Sequence, residues 1–347
     1  MSVNVTVVGV GLVGEAIVSC LKERKFPCKW PPRVAATRER PETLAGERML
    51  VEETSAEVFK GAGLVLFAGQ EGAKGASATW RKTAEAAGAW CVDNGRDFRL
   101  ADGVPLVVPE VNADAITAKS RFIASPNCST IQLVVALAPI HRAARIRRII
   151  AATYQATSGW GMKGPQELRR QVPKALQSLE NIEFDPSVFA RPIAFNCLPH
   201  IDVFLDDDYT REEWKMVHET RKILSAPSIR VSATAVRVPV LNGHSEAVWI
   251  ETEKKLSAAA ARDLLRKAPG IVVMDEPDGQ GRRTYPTALD LLAPEYRDKT
   301  LVGRIREDTS CERGLALWIV ADNIRKGAAL NVVQIAEVLL EKGYLKA

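Results

Sequence analysis

The first 24 residues constrain the fold more than any other stretch of this chain. Val3–Val8 is a β-branched apolar run typical of a buried strand, and an amphipathic helical pattern follows as far as residue 24. Between them, Gly9, Gly11 and Gly14 form G-x-G-x-x-G. The first glycine permits a tight turn, the second lets the backbone approach a pyrophosphate, and the third allows close helix packing. Alone the motif is equally compatible with any glycine-rich turn, but its place in a βαβ unit favours dinucleotide binding.

Strands and helices alternate through the first 125 residues. Short strand patterns occupy 33–37, 64–69, 89–94, 105–112 and 121–127, and a helical pattern occupies 77–88. This alternation predicts a doubly wound, largely parallel sheet that ends near Ser125.

The pattern changes after Thr130, where longer strands are mixed with helices. Helices are predicted at 130–138, 163–181 (interrupted by Pro173), 207–224, 257–268 and 324–343, and strands at 148–159, 229–240, 245–252, 270–276 and 315–323. Thr210 and Glu213 form a capping box at the start of the third helix. The second half is therefore predicted to be an α+β domain on a large, mostly antiparallel or mixed sheet.

Length and composition narrow the class of protein. The 347 residues are enough for two domains, and the net charge of +5 is scattered, without a nucleic-acid-binding motif. No uncharged apolar run reaches the length of a membrane span, and the chain opens on a strand pattern, which predicts a cytoplasmic protein without membrane or nucleic-acid partners. None of the six cysteines forms C-x-x-C or lies near a histidine at ligand spacing, so free thiols and no metal are expected.

The end of the second predicted strand bears on which dinucleotide is bound. An NAD site usually has Asp or Glu there, to bind the ribose 2′-hydroxyl. This chain has Thr37 and Arg38, which suit a 2′-phosphate, although Glu39 follows. The sequence therefore favours NADP.

Cys128 stands in the stretch ASPNCSTIQ, at the start of an apolar helical run. Pro126 favours an extended residue before it, and Asn127 is a good N-cap, so Cys128 falls in the first turn of a helix. There the helix dipole favours a thiolate. Because first-turn cysteines are also found as inert residues, position alone leaves the nucleophile and the structural interpretation about equal.

A thiol nucleophile needs a base, and His244 is the most suitable of the four histidines. It follows Asn-Gly, between two predicted strands. Arg237 lies seven residues earlier, and strict strand alternation puts the two on opposite faces unless Pro239 or the Asn-Gly pair resets the phase. On spacing alone, an ordinary hairpin with an incidental polar residue is the better interpretation.

Several stretches together resemble the aspartate-β-semialdehyde dehydrogenase family. They run from end to end with matching spacing: DNGRDFRL…VPLVVPEVN (93–112), SPNCSTIQ, TYQATSGWG (153–161), IAFNCLPHID (193–202), YTREEWKMVHETRKIL (209–224), RVPVLNGHSEAV (237–248) and LVGRIRED…LWIVADNIRKGAALNVVQIAE (301–337). The resemblance implies an α/β protein similar to glyceraldehyde-3-phosphate dehydrogenase in fold. It implies a Rossmann-like NADP-binding domain (1–126), an α+β catalytic and dimerisation domain with a large mixed sheet (127–322), and a C-terminal helix (323–347) that returns to the first.

The resemblance also implies a role for each matching residue. Cys128 would be the nucleophile that forms an acyl-thioester, Gln155 would orient that intermediate, and His244 would be the acid/base. Arg237 would bind the substrate carboxylate and Glu212 its amino group. Phosphate would be held by Arg99 and Lys215, with Asn127 nearby. The implied NADP contacts are Gly9, Gly11, Leu12, Val13, Gly14, Thr37, Arg38, Ser158, Gly159 and Asn323.

The implied activity is the reversible, NADPH-dependent conversion of 4-phospho-L-aspartate to L-aspartate 4-semialdehyde and phosphate. This step serves the biosynthesis of lysine and diaminopimelate, threonine, methionine and isoleucine, and the implied assembly is a homodimer or homotetramer. The chain departs from the family pattern in its shorter glycine turn, in Gln70, Glu71 and Lys74 of FAGQEGAKG, and in Trp160. The alternatives are an acyl-CoA reductase on the same fold, a cysteine hydrolase using Cys128 and His244, and a non-catalytic paralogue.

Overall fold

The computed structural model describes residues 2–69, 72–180 and 182–346. The chain divides into two compact units. The first unit contains Met1–Asn127 and Ala328–Ala347, and the second contains Cys128–Gly327. Both combine strands and helices, so the predicted α/β class with two domains is confirmed.

The first unit is built on a seven-stranded sheet. Its strands are β1 (Val5–Val8), β2 (Arg33–Ala36), β3 (Arg40–Leu44), β4 (Glu47–Glu53), β5 (Leu64–Phe67), β6 (Trp90–Asp93) and β7 (Phe122–Ala124), and its helices are α1 (Leu12–Glu23), α2 (Ala76–Ala86), α3 (Pro109–Asn112) and, from the end of the chain, α8 (Leu330–Glu341). The strand order is β3-β4-β2-β1-β5-β6-β7, and only β3 runs antiparallel to its neighbour. This is the doubly wound sheet that the alternating pattern predicted.

Helix α8 is part of the core of the first unit. Its apolar side chains, including Val333 and Leu339, lie in the same buried cluster as Val7 of β1 and Leu21 of α1. Within this core the Asn331 amide donates to the Ser125 hydroxyl at 2.9 Å. The last helix therefore closes the first unit through apolar burial and a buried polar contact.

The second unit is built on a six-stranded mixed sheet. Its strands are β8 (Ile146–Gln155), β9 (Arg230–Arg237), β10 (His244–Thr252), β11 (Ile271–Val273), β12 (Thr300–Glu307) and β13 (Gly314–Ala321), and its helices are α4 (Cys128–Ala144), α5 (Lys163–Ala175), α6 (Arg211–Ile223) and α7 (Ala258–Arg266). The order is β11-β12-β13-β10-β8-β9, with the β8–β9 and β11–β12 pairs parallel and the others antiparallel. The predicted mixed sheet is confirmed.

The strand predicted at 105–112 is wrong. Leu106 makes a single bridge to Ala124, and Pro109–Asn112 then forms the short helix α3. Proline suits the first position of a helix because it has no N–H and its φ is already helical. The Asn112 side chain accepts from the Val108 N–H and donates to the Leu106 carbonyl, which closes the segment on itself.

Other boundaries differ where packing or pairing overrides local pattern. Helix α4 begins earlier and continues through Pro139 to Ala144, because it is buried along most of its length. The strand predicted at 148–159 begins at Ile146 and ends at Gln155, since a 3₁₀ turn follows. Helix α5 ends at Ala175, and Asn181, the predicted end, lies outside the described residues.

Three strands were not predicted. They are β3, β4 and β12, and each includes charged residues instead of forming a continuous apolar run. In the described part of the chain, no helix is long and apolar enough to cross a membrane.

Candidate active site

Cys128 is the first residue of α4, in the helical turn where the sequence placed it. It is half-buried, whereas the rest of the helix is largely buried. The backbone of Gly327 passes close to it, and a β-carbon on that glycine would lie 3.0 Å from the Cys128 Cβ. A thiol at this position lies at the positive end of the helix dipole, which stabilises a thiolate.

Gln155, Arg237 and His244 lie together at one end of the sheet in the second unit. Gln155 ends β8 and pairs with Arg237, which ends β9. His244 begins β10, and the pairing of Ser245 with Tyr154 places it beside the end of β8. Arg237 and His244 do not belong to a hairpin, because β8 lies between their strands. The interpretation that spacing alone favoured is therefore wrong.

The backbone of Ala156 orients the side chains of both His244 and Arg237. The Ala156 N–H donates to His244 Nδ1 at 3.0 Å, and the Ala156 carbonyl accepts from Arg237 Nη1 at 2.8 Å. Because Nδ1 accepts, a neutral imidazole carries its proton on Nε2. Within the described residues, Nε2 has no hydrogen-bond partner, which leaves its N–H available to a ligand.

Burial holds His244 in the neutral form. The side chain is fully buried, and this desolvation, with the Arg237 charge as a smaller cause, lowers the pKa of His244 to about 3. Burial also lowers the pKa of Arg237, while the negative charges of Glu212 and Cys128 raise it. A guanidinium stays protonated in proteins, so the site combines a fixed cation with a neutral imidazole.

Helix α6 contributes a partly buried chain of ionic contacts. The Lys215 ammonium donates to Glu212 Oε2 and to Asp202 Oδ2, each at 2.9 Å, and the Gln155 amide donates to Glu212 Oε1 at 3.2 Å. Burial lowers the pKa of Lys215, but Glu212 and Asp202 raise it more, and the net shift is upward. Lys215 is therefore a permanent cation at neutral pH. Its spacing from Glu212 is i, i+3, as the sequence indicated.

Gly159 lies against the two strand-end side chains. A β-carbon there would be 2.5 Å from Arg237 Nη1 and 3.3 Å from His244 Nε2. Any larger residue must displace the guanidinium. The predicted cofactor contact at this position is thus also the glycine that leaves space for the Arg237 and His244 side chains.

Ser158 and Asn323, which were also predicted to contact NADP, are hydrogen-bonded to each other. The Asn323 amide donates to the Ser158 hydroxyl at 2.9 Å, and Asn323 Oδ1 accepts from the Gly243 N–H at 2.9 Å. Both are buried. They fix the turn after β8 to the segment that leads into β10, and so support the positions of Gly159 and His244.

Two contributors were missed by the sequence reasoning. Asp202 had no predicted role, although it ends the motif LPHID shortly before the helix of Glu212 and Lys215. The unusual feature of Asp202 is its positive φ, +66°, beside the half-buried Lys215, and this backbone angle is known only from the structure. Ala156 acts through its backbone alone, so its side chain carries no signal.

The glycine turn of the first unit fits a dinucleotide phosphate. Gly9 has φ of +105°, and a β-carbon on Gly14 would lie 1.9 Å from the Gly9 carbonyl oxygen, so both positions require glycine. Gly11 is the N-cap of α1, and a β-carbon there would point into open space. Leu12 and Val13 form the first turn, whose N–H groups suit an anion. Thr37 and Arg38 follow β2 directly, and both are exposed.

Arg99 and Asn127, predicted near the phosphate, belong to the first unit, and both are buried. Arg99 donates to the Asn94 carbonyl at 2.8 Å. It lies near Asp93, the last residue of β6, where burial raises the pKa of the carboxyl to about 6 against the opposing effects of Gly95, Ser77 and Arg99.

The positions that depart from the family pattern are only partly described. Gln70 and Glu71 lie outside the described residues. Lys74 is exposed, and Trp160 is 45% exposed in the turn after β8. Among the described residues, no group of three or more His, Cys, Asp or Glu side chains could hold a metal ion.

Comparison with known proteins shows the family of the chain. The family model for the semialdehyde dehydrogenase NAD binding domain matches residues 4–119, and the model for the semialdehyde dehydrogenase dimerisation domain matches residues 137–326. An aspartate-semialdehyde dehydrogenase of Legionella pneumophila is 48% identical, covering 99% of this chain and 97% of that protein. The chain belongs to the aspartate-semialdehyde dehydrogenase family.

Solved structures of aspartate-semialdehyde dehydrogenases agree in fold over nearly the whole length. Aspartate semialdehyde dehydrogenase II from Vibrio cholerae matches with a TM-score of 0.89 and 41% identity, covering 98% of this chain and 99% of that one. The same enzyme complexed with ASA matches with a TM-score of 0.88 and 40% identity, with the same coverage. The family is one of oxidoreductases acting on an aldehyde group, and the chain has its nicotinamide-binding and dimerisation domains.

Proposed function

We propose that this protein catalyses the reversible reduction of 4-phospho-L-aspartate to L-aspartate 4-semialdehyde, with release of phosphate, in amino-acid biosynthesis. The observation that carries the proposal is the joining of Arg237 and His244 through Ala156, at the end of the strand that presents Gln155. A fixed cation, a neutral imidazole and an amide at one sheet end are what an acyl-transfer site with a thiol nucleophile needs.

Cys128 acts as the nucleophile in this proposal. Its thiolate attacks the acyl carbon of the acyl phosphate, the bond from that carbon to the phosphate oxygen breaks, and the electron pair leaves with phosphate, which takes a proton from solvent. The acyl group is then held as a thioester on Cys128. Gln155 orients this thioester by its amide, and the amide is itself held by Glu212.

The substrate is bound through its charges. Arg237 suits the α-carboxylate because a guanidinium forms two parallel hydrogen bonds with it. Glu212 suits the amino group, and Lys215 suits phosphate as a permanent cation. Arg99 and Asn127 belong to the first unit, and their contacts with phosphate stay predictions.

His244 supplies a hydrogen bond to the reacting oxygen. When the thioester is reduced, negative charge develops on that oxygen, and the Nε2–H donor stabilises it. The thiolate then leaves as the carbonyl of the aldehyde forms. To act as a base in the oxidative direction, Nε2 would first have to lose this proton. The tautomer in the structure therefore favours His244 as a hydrogen-bond donor through Nε2–H.

The cofactor that we propose is NADP. When bound, it supplies or accepts the hydride. Its pyrophosphate is bound by the turn Gly9–Gly14 and the first N–H groups of α1, and its 2′-phosphate is bound by Thr37 and Arg38, which follow β2 where an NAD site usually has a carboxylate. Ser158, Gly159 and Asn323 of the second unit are proposed to contact the nicotinamide half.

The assembly as a homodimer or homotetramer and the cytoplasmic location stay predictions.

The proposal is tested with purified protein, L-aspartate 4-semialdehyde and a nicotinamide cofactor, followed by absorbance of the reduced nicotinamide. We expect NADPH to form only when inorganic phosphate is present, and kcat/KM to be higher for NADP⁺ than for NAD⁺. Turnover that needs free CoA in place of phosphate would identify an acyl-CoA reductase. A folded protein that forms no reduced nicotinamide with either acceptor would contradict the proposal.

A further inference from the structure

Glu246 is a buried carboxyl that the proposed reaction does not use. It lies two residues after His244 on β10, on the same face of the strand, and it is fully buried. Neither oxygen forms a hydrogen bond of normal geometry with the described residues. Burying a carboxyl in this way is costly unless the group is neutral or has a specific partner.

In the part of the chain that the structure describes, Gln132 is the one side chain whose hydrogen bonding acts on the pKa of this carboxyl. It lies one helical turn after Cys128 on α4 and is 1% exposed. Its amide nitrogen and oxygen also lack a hydrogen bond of normal geometry in the described chain. This amide nevertheless lowers the pKa of the Glu246 carboxyl, against the larger effect of burial. Helix α4 packs against strand β10, so each of the two elements that present Cys128 and His244 also carries a buried polar side chain, Gln132 and Glu246 respectively.

The surroundings of Glu246 oppose its ionisation. Burial is the main cause that raises the pKa of Glu246 well above its usual range, the negative charge of Glu212 on α6 adds to it, and only the Gln132 amide opposes it. His244, on the same strand, is neutral. A neutral carboxylic acid has an O–H donor and a carbonyl acceptor, the pair that complements one primary amide.

We propose that Glu246 is a positioning residue, a neutral carboxylic acid that hydrogen-bonds with Gln132 and so fixes the first turn of α4 against the strand of His244. The pair sets the position of Cys128 relative to His244. Apolar packing alone holds a helix against a sheet without fixing its exact shift and rotation, whereas a buried hydrogen-bonded pair has one satisfied geometry. The proposal depends on the proposed function only in naming Cys128 as the nucleophile.

Three variants separate positioning from general stability. E246Q keeps a neutral donor and acceptor toward Gln132, and we expect kcat within about threefold of the parent. Q132L/E246L replaces both partners by apolar groups, which leaves the free energy of unfolding nearly unchanged. Misplacing reacting groups by about 1 Å costs about 10²-fold, so kcat of this variant should fall between about 10- and 100-fold. E213Q is the control for the carboxyl band, because it removes a different buried carboxyl, one that accepts from the Thr210 and Ala235 N–H groups.

Two readouts need no substrate. Infrared spectroscopy at neutral pH should show the C=O stretch of a protonated carboxyl in the parent and in E213Q, and its loss in E246Q. The rate of alkylation of Cys128 by iodoacetamide, followed on its peptide by mass spectrometry, should be unchanged in E246Q and at least about tenfold altered in Q132L/E246L. These results hold even if the proposed substrate is wrong.

The outcomes that overturn the proposal are specific. If no protonated carboxyl band can be assigned to Glu246, the carboxyl is not a neutral acid and that part of the proposal is wrong. A folded Q132L/E246L protein with parental kcat and parental alkylation rate removes the positioning role. If E246Q loses as much kcat as the double variant while both stay folded, the hydrogen-bonded pair is not the cause.

Discussion

His244 accepts a hydrogen bond at Nδ1 from the backbone N–H of Ala156, 3.0 Å away. That contact decides the tautomer of the imidazole and directs Nε2–H toward the space beside Gly159. It also ties the base predicted from the sequence to the residue that follows Gln155, so two catalytic candidates are positioned by one turn of backbone.

The pH dependence of the reaction should not report an imidazole. Since the pKa of His244 is lowered to about 3, the ring is neutral across the range from pH 5 to 8, and kcat/KM should show no inflection from it. The measurement is the pH profile of kcat/KM for the parent and for H244Q, which keeps a donor near Nε2 but is not a base. We expect H244Q to be slower with a profile of the same shape. An inflection between pH 6 and 7 that disappears in H244Q would show that His244 titrates during catalysis.

Removal of the Cys128 thiol should abolish turnover. C128A is expected to lower kcat by more than about 10³-fold, because no other group in the described site supplies a nucleophile. Cys197 is an exposed thiol in the same unit, and C197A is the matched control, with parental kcat expected. Near-normal activity in folded C128A would exclude the thioester route.

A methyl group at position 159 should weaken substrate binding. In G159A the new Cβ would lie 2.5 Å from Arg237 Nη1, so the guanidinium must move from the Ala156 carbonyl. We expect kcat/KM for the semialdehyde to fall about 10²-fold. Gly63 serves as a control, because a β-carbon there meets only ordinary contacts, the nearest at 3.4 Å. Equal kinetics for G159A and G63A would show that Arg237 does not depend on this space.

Asp93 should make the first unit less stable as pH rises from 4 to 6. Burial raises the pKa of Asp93 from 3.8 to about 6, so the folded state binds the proton more tightly than the unfolded state. Its contribution is fully present below pH 3.8 and is lost as pH rises through 6. The loss amounts to up to about 3 kcal/mol, because each tenfold difference in proton affinity between the two states is worth about 1.4 kcal/mol.

The measurement for Asp93 is a difference between two proteins. Urea unfolding of the parent and of D93N at pH 4 and pH 7 isolates this group, since other titrations cancel. D93N should lose less stability than the parent between the two pH values. A parent and a D93N protein with parallel pH dependence would mean that Asp93 titrates normally.

The sequence by itself determined the features that depend on near neighbours. The glycine turn needs Gly14 because a β-carbon there would meet the Gly9 carbonyl oxygen, and it needs Gly9 because the φ of +105° is a turn conformation, although the close approach of Ala68 and Gly69 to Gly9 is a tertiary contact. The capping box of Thr210 and Glu213 is formed as predicted, and Glu212 and Lys215 meet because helical spacing of three brings them to one face. The placement of Cys128 in a first helical turn followed from Pro126 and Asn127. Each of these rests on backbone geometry over a few residues.

Only the tertiary structure decided the relations that depend on strand order. Spacing alone favoured an ordinary hairpin between Arg237 and His244 and left open whether the two share a face, but β8 lies between their strands and brings both to its own end. Strands β3, β4 and β12 also depend on tertiary structure, because their sequences do not identify them as strands until their pairing partners are known. Asp202 beside Lys215, and Gln132 against Glu246, join residues from different elements. Local patterns carry no information on such pairs, because burial and long-range pairing are set by which elements pack together.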